Sequence, residues 1–394
     1  MTIAIRAPLL SLTALSFAAL LAFAPALRAS DPGVAADRIT FGQAAPFEGP
    51  ASALGLGMRQ GILAAFAEAN AKGGVKGRKL DLNAKDDGYE PTKSIEAVKA
   101  LLAEKSFALV GPVGTPTSMA TFPIAAEAGV PFIGPFTGAE GLRNPYRPNV
   151  VNVRASYFQE TEEMVERLTK DLKVERIAIL FQDDAFGRAG LAGVLKAMEK
   201  RKMKLVADAA FERNTTAVKQ ALLEIRRADP QAVIMVGPYK PMAEFIKLAR
   251  RIKLQSTFVN ISFVGSEALA KEVGEQGEGV VVTQVVPFPW DMANPLVQKY
   301  QAALKAADAK AQPGFVSFEG YIVGRLVIAA LEQIDGEPTR KALLEKLTQG
   351  TYDIDGAKIA FGANDNQGMD QVFVSVLQKD GSFKAVKTLA TPGS

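Results

Sequence analysis

The sequence predicts an α/β protein of two doubly wound lobes. Strand-like and helix-like segments alternate from residue 38 to residue 263, a pattern that implies βαβ units and parallel sheets covered on both faces. The alternation restarts after Arg154, and chains beyond ~250–300 residues ordinarily divide into two cores.

In the first run, 39–46 reads as a strand and 54–72 as a helix stopped by Gly73-Gly74. Residues 79–87 alternate apolar and polar as a strand. A helix follows over 92–105, with Ile95, Val98, Leu101 and Leu102 on one face. Residues 107–111 form a short buried strand, a helix runs through 126, and 131–136 is the next strand. The second run predicts helices over 157–172, 189–202, 217–228 and 241–252. Its strands fall at 176–182, 205–211, 232–237 and 257–263. A further strand over 279–287 ends in Pro287-Phe288-Pro289-Trp290, a natural crossing point with Trp290 packed at the hinge. Three helices at 294–308, 315–334 and 338–350 precede a hairpin over 372–387 that turns at Asp380-Gly381. The expected lobes are 38–155 with 285–356, and 156–284 with 357–394.

The first 29 residues carry Arg6, an apolar run over 8–23 and a break at Pro25, the features of a cleaved secretory signal. A spanning helix needs ~20 apolar residues, whereas this run is shorter and includes Ser11, Thr13 and Ser16. Cleavage after Ala29 puts Leu27 at the −3 position, and cleavage after Ala36 puts Val34 there. The chain has no Cys, so neither a lipid-modified cysteine nor a disulfide is available. A monomer free in the periplasm is expected.

The chain has no His either, which removes Ser-His-Asp and Cys-His nucleophilic sites and the common zinc sites. The net charge is +4, and loss of Arg6 and Arg28 with no acidic residue leaves +2. That is too mild to imply a nucleic-acid partner. The sequence therefore points away from an enzyme and from any cofactor or metal. Gly55, Gly57 and Gly61 resemble a dinucleotide fingerprint only faintly, with the spacing wrong by one residue. Asp86, Asp87 and Glu90 lack the calcium-loop pattern and read as the polar end of a strand.

In open α/β sheets, ligands bind beyond the carboxyl ends of the strands. After the strand at 107–111 stands Gly114-Thr115-Pro116-Thr117-Ser118, where Thr115 fits an N-cap and Pro116 the first helical position. After the strand at 131–136 stands Thr137-Gly138-Ala139-Glu140, a capping-box spacing. Either threonine can simply cap its helix. Two hydroxyl-rich helix starts on adjacent strands also make a cradle for a carboxylate, because free N–H groups and the helix dipole favour an anion there.

Ala45 to Pro50, Asn70 to Arg78, Asp86-Asp87, Val110-Gly111 with Gly114-Thr115, Pro131 to Glu140 and Gln182 to Gly187 together resemble the leucine/isoleucine/valine-binding proteins. These are type I periplasmic solute-binding proteins of ABC importers, and the resemblance covers nearly the whole chain after the leader. It implies two Rossmann-like lobes joined by a three-segment hinge, the type I periplasmic binding fold, with a small-molecule carboxylate ligand in the cleft and an inner-membrane ABC permease as partner. It places the ligand carboxylate on Thr115 and on Phe136, Thr137 and Gly138. Aromatic contacts from the second lobe fall on Phe186 and on or beside Tyr239. Ser262 stands where members that bind amino acids carry a Glu for the α-amino group, and Leu54 stands where an aromatic residue packs on the ligand. Tyr89 and Gly114 occupy the places of the usual cysteine pair, a ring facing a glycine. Glu48, where relatives often carry a small hydroxyl residue, either serves as counter-ion for a cationic ligand group or faces solvent. The expected function is delivery of an amino acid or an aromatic or aliphatic acid by cleft closure. The alternative is a sensing module that presents its bound state to a membrane receptor or kinase.

Overall fold

A computed structural model describes residues 1–4 and 30–390. The expected signal segment, apart from its first four residues, lies outside the described residues.

The first sheet contains β1 (Arg38–Ala45), β2 (Lys79–Asp86), β3 (Leu109–Val110), β4 (Phe132–Ile133) and β5 (Val150–Val151). All pair in parallel, in the order β2-β1-β3-β4-β5. The second is built on β6 (Ile177–Gln182), β7 (Ala207–Phe211), β8 (Ala232–Val236), β9 (Thr257–Asn260) and β10 (Val281–Gln284), also parallel. A separate ribbon pairs β11 (Thr351–Ile354) with β12 (Ala357–Ala360). The hairpin β13 (Phe373–Leu377) and β14 (Phe383–Val386) then extends the second sheet, giving β14-β13-β10-β9-β8-β6-β7.

The helices are α1 (Ser52–Ala71), α2 (Pro91–Ala103), α3 (Thr115–Glu127), α4 (Tyr157–Lys170), α5 (Ala185–Glu199) and α6 (Lys219–Arg227). They continue as α7 (Tyr239–Arg251), α8 (Ser266–Val273), α9 (Pro295–Ala307), α10 (Phe315–Glu332) and α11 (Arg340–Gln349). The chain crosses between the lobes after β5, after β10 and after β12. This is the two-lobed, doubly wound architecture that the alternation implies.

Helices on both faces explain the composition of the central strands. Every residue of β6 and β8 is buried, and both are near-continuous apolar runs. The edge strand β2 instead keeps Lys79 and Asp81 outward. Several strands, β4, β9 and β10 among them, end earlier than their apolar runs suggest. Gly134, at φ +60°, bends the chain away after β4. The run at 257–263 breaks after Asn260 into a 3-10 turn over Ser262–Val264, followed by Gly265 at φ +77° and then α8. Periodicity does not reveal β5, α8 or the β11–β12 ribbon, because each is too short to show a repeat.

The glycines of α1 have a packing role. A Cβ on Gly57 would come within 2.9 Å of the Val316 side chain, and one on Gly61 would overlap the Ser317 carbonyl of α10. Close approach of α1 and α10 fixes the outer face of the first lobe. In an exposed helix, Gly→Ala stabilises by roughly 0.5–1 kcal/mol. Here overpacking, at about 1–3 kcal/mol, dominates, so Gly61→Ala should lower the melting temperature in calorimetry. A rise would show that the helices can part without cost.

Candidate functional site

The carboxyl ends of both sheets open on one cleft, and the candidate residues gather there by identifiable local rules. Thr115 is the first residue of α3, behind Gly114 at φ +106°. It is not the N-cap that the sequence suggests, and its hydroxyl caps nothing. Its Oγ1 instead lies 2.6 Å from Thr137 Oγ1. The expected capping box at Thr137 does not form either, because the chain makes only a 3-10 turn over Glu140–Leu142. Thr137 Oγ1 accepts from the Ala139 amide at 3.2 Å. Both threonines are buried. With neither hydroxyl capping a regular helix, they are left to face each other across the ends of β3 and β4.

Tyr157 joins them. It opens α4 behind a true capping box, in which Ser156 Oγ accepts from the Gln159 amide at 3.3 Å and Gln159 Oε1 accepts from the Ser156 amide at 2.7 Å. Its amide donates to the Gly138 carbonyl at 2.7 Å, which holds it against the Phe136–Gly138 backbone. Burial pushes the Tyr157 hydroxyl up to about 12, an effect partly offset by the charge of Arg154 and by the nearby Thr137 and Thr115 hydroxyls. The hydroxyl nevertheless completes no hydrogen bond. Sequence reading missed Tyr157, whose only signal was a tyrosine directly after a capping serine at the first crossing.

Five buried rings, that of Tyr157 among them, pack on one another beside these hydroxyls. Phe186 lies 4.5 Å from Phe263 and 5.4 Å from Tyr157, centroid to centroid. Phe263 lies 5.4 Å from Phe136 and 6.0 Å from Tyr89. Phe186 is set by Asp184, which caps α5 by accepting from the amides of Phe186 and Gly187 at 2.9 and 3.3 Å. Tyr89 sits at φ +63°, a strained backbone for a bulky residue. Asp87 holds it there by accepting from its amide at 2.8 Å, and a Cβ at Gly114 would overlap its ring. The ring therefore needs the glycine opposite it.

A buried ionic network closes the base of the cleft. Arg154, on the first crossing, donates from Nη2 to Ser262 Oγ. Its Nε lies 3.4 Å from Glu319 of α10, and Nη2 lies 4.0 Å from Glu160 of α4. Its guanidinium stacks 4.6 Å from the Phe136 ring centroid. Glu160 accepts from the Ser262 amide and hydroxyl at 2.9 Å each and from Thr283 at 2.6 Å. Ser262 is thus engaged with protein groups. A cavity of about 10 Å³ lined by Phe136, Arg154, Ser262 and Glu319 is large enough for roughly one water.

Other contacts join the lobes. Gln182 donates to the Tyr89 hydroxyl at 3.3 Å, and the Tyr239 hydroxyl accepts from the Ala53 amide at 3.4 Å. At the rim, Arg213 meets Glu90 at 2.7 Å, and Asn214 donates to Glu90 and to the Gly88 carbonyl at 2.6 and 3.1 Å. Leu54 packs against Gly265. Glu48 is exposed and stands apart from the rings, with its amide donating to Asp86 at 3.0 Å. Trp290 lies beside Phe288 and Phe315 at 5.1 and 5.6 Å, away from the hydroxyls.

A model of the periplasmic binding protein family matches residues 38–382. The chain belongs to that family. Its members are binding components of transport rather than enzymes, and the family is periplasmic. A Leu/Ile/Val-binding protein of Rhizobium johnstonii is 30% identical over 258 residues, 64% of this chain and 65% of that one. A Leu/Ile/Val-binding protein homolog of Brucella suis is 24% identical over 89% of this chain and 88% of its own. The crystal structure of a possible leucine/isoleucine/valine-binding protein from Rhodopirellula baltica superposes with a TM-score of 0.85 at 37% identity, covering 91% of this chain and 98% of that one. No helix among the described residues is long and apolar enough to cross a membrane.

Burial pushes the Glu319 carboxyl up to about 7, against the pull of Arg154. An ordinary Glu titrates near ~4.3, so the folded state holds this proton more tightly than the unfolded chain. Its contribution to stability then falls as pH rises from about 4.3 through about 7. Compared with Glu319→Gln, the native protein should therefore lose melting temperature between pH 5 and pH 8. A gain relative to the variant over that range would contradict the burial argument.

Proposed function

We propose that this chain captures a carboxylate-bearing solute between its lobes and presents the closed form to an inner-membrane ABC permease. One observation supports the reading above the others: three buried hydroxyls, those of Thr115, Thr137 and Tyr157, converge beneath rings from both lobes. The two threonines share one hydrogen bond, which leaves two of the three O–H donors free. An unsatisfied buried hydroxyl costs roughly 1–3 kcal/mol, and a carboxylate would remove that cost. The α3 N-terminus favours the same charge.

Closure follows from the division of labour between the lobes. Thr115, Thr137 and Tyr89 belong to the first lobe, while Phe186, Phe263 and Tyr239 come from the second. Tyr157 opens the first helix after the crossing. A solute touching both sets stabilises the closed form, since only contacts made better in that form shift the equilibrium. The Arg213–Glu90 pair is half-exposed, and exposed ion pairs contribute about 0–1 kcal/mol. It suits a latch that solvent can reopen.

Export through the leader fits the same role. Asp31 accepts from the Arg340 amide at 2.6 Å, and the Gly33 carbonyl accepts from the Thr40 amide at 2.9 Å. These contacts support cleavage after Ala29 over cleavage after Ala36. Intact mass of the protein from periplasmic extract should correspond to a chain beginning at Ser30. A start at Asp37, or an uncleaved chain in the membrane pellet, would refute that choice.

The binding claim is tested with Tyr157→Phe, titrated by calorimetry against the tightest carboxylate of a screened panel. Losing a hydrogen bond to a charged group costs ~1.5–3 kcal/mol, equivalent to roughly 10- to 200-fold in affinity. Because the hydroxyl has no partner within the protein, melting temperature should hold or rise while affinity falls. Unchanged affinity with a lower melting temperature would make the hydroxyl structural and defeat the proposal.

A further inference from the structure

We propose that the cavity between α1 and α8 is a second binding site, one that takes a primary organic ammonium with a small aliphatic body. This site is separate from the hydroxyl-lined one, and neither reading depends on the other. The rings beside the hydroxyls pack on one another and leave only the one-water cavity at their base. A larger cavity, of about 510 Å³, opens between the lobes beside Leu54, within the ~300–1,000 Å³ of small-molecule pockets. Its first-lobe walls are α1 and the segment leading into α10, and its second-lobe wall is Gly265, Glu267 and Ala268. Leu56 and Leu63 of α1 line it and remain exposed, offering apolar surface to a ligand body.

Glu267 supplies the charge. Its Oε1 accepts from the Phe315 amide at 2.9 Å, a bond from the second lobe to the first residue of α10. Room for the carboxylate comes from Gly314, where a Cβ would lie 2.8 Å from Glu267 Cδ. Among the described residues, Oε2 receives no hydrogen bond and no Lys or Arg pairs with the carboxylate. Glu267 is half-buried as a residue, but the burial falls on its carboxyl, which is pushed up to about 7 against the pull of the Phe315 amide. A desolvated carboxylate without a cation is costly, and a bound cation removes that cost.

The geometry also selects the kind of cation. A guanidinium forks onto two carboxylate oxygens, and the Phe315 amide already holds one of them. A quaternary ammonium has no N–H for the other. A primary ammonium meets Oε2 with a single N–H and points its body along the leucines. A metal ion needs further ligands, and no cluster of three acidic side chains suited to one occurs among the described residues. Neighbouring charges leave the position open. Arg59 lines the cavity but stacks on Phe47, 4.4 Å from the ring centroid. Asp308, on the same wall, is exposed and carries the sign that favours a cation. The Tyr300 hydroxyl is engaged with Gly314 and Ser317. Lys271, Glu275, Lys379 and Asp380 border a neighbouring hollow that Glu267 also reaches, and all four are exposed.

The experiment is calorimetry with 3-methylbutylammonium and its uncharged counterpart 3-methylbutanol, repeated on Glu267→Gln, which keeps an acceptor for the Phe315 amide. At pH 8 the ammonium should bind roughly tenfold or more tightly than the alcohol, and Glu267→Gln should abolish that difference. Between pH 6 and pH 8 its affinity for the native protein should rise roughly tenfold as Glu267 ionises, while an alkyl amine, at ~10.4, stays charged. The variant should show no such rise. Tyr157→Phe should leave ammonium binding unchanged, which separates this site from the hydroxyl-lined one. Equal binding of ammonium and alcohol, a flat pH profile, or no ammonium binding at millimolar concentration would overturn the proposal and leave the carboxylate reading intact. So would an equal loss in Glu267→Gln for the ammonium and for the tightest carboxylate of the panel, which would make Glu267 a strut between the lobes.

Discussion

The architecture of the cleft depends on Arg154. Its guanidinium is fully buried at the first crossing, joined to Glu319 of α10, to Glu160 of α4 and to Ser262 after β9. Taking one partner from a buried ion pair is destabilising by about 3–5 kcal/mol, so these groups hold one another in place. Their elements come from both lobes, and the network therefore sets how the two sheet ends meet in this arrangement of the lobes. It also lies beneath Phe136, the residue that leads into Thr137. The geometry of the hydroxyls is set from below by a charge that does not itself reach them.

That arrangement separates two chemistries in a small volume. Charges are concentrated at the base, where they neutralise one another. Above Phe136 the surroundings are rings and hydroxyls, with the strained Tyr89 backbone pressing its ring into the space that Gly114 leaves. Strain of this kind persists only where neighbouring contacts over-determine it. Here they are the Asp87 acceptor behind the ring, the glycine beside it and Gln182 reaching across from the other lobe. A site so divided selects by shape and hydroxyl geometry more than by net charge.

Much of the fold was legible in the sequence, because burial on both faces writes β6 and β8 as apolar runs while helices such as α7 show their own period. The loops after β3 and β4 were legible as ligand-facing for the topological reason that strand ends face the cleft. Their chemistry was only half legible. Thr115 and Thr137 looked like caps, and whether a hydroxyl caps depends on where the helix begins, by a single residue. Tyr157, Phe263 and the pairing of Arg154 with Ser262, Glu160 and Glu319 were not legible. Glu160 and Thr283 are 123 positions apart, and Arg154 and Ser262 are 108 apart; only the folded chain makes them neighbours. Glu319 did leave a trace, as a lone acid within the apolar run from Phe315 to Val323.

The most direct test is a crystal structure of the protein with its tightest-binding carboxylate. The account predicts the carboxylate within hydrogen-bond distance of the Thr115, Thr137 and Tyr157 hydroxyls, its body among the rings of Phe136, Phe186 and Phe263, and Arg154 still bound to Glu160 and Glu319. A carboxylate paired instead with the Arg154 guanidinium, or a solute seated outside the cleft between the lobes, would contradict it.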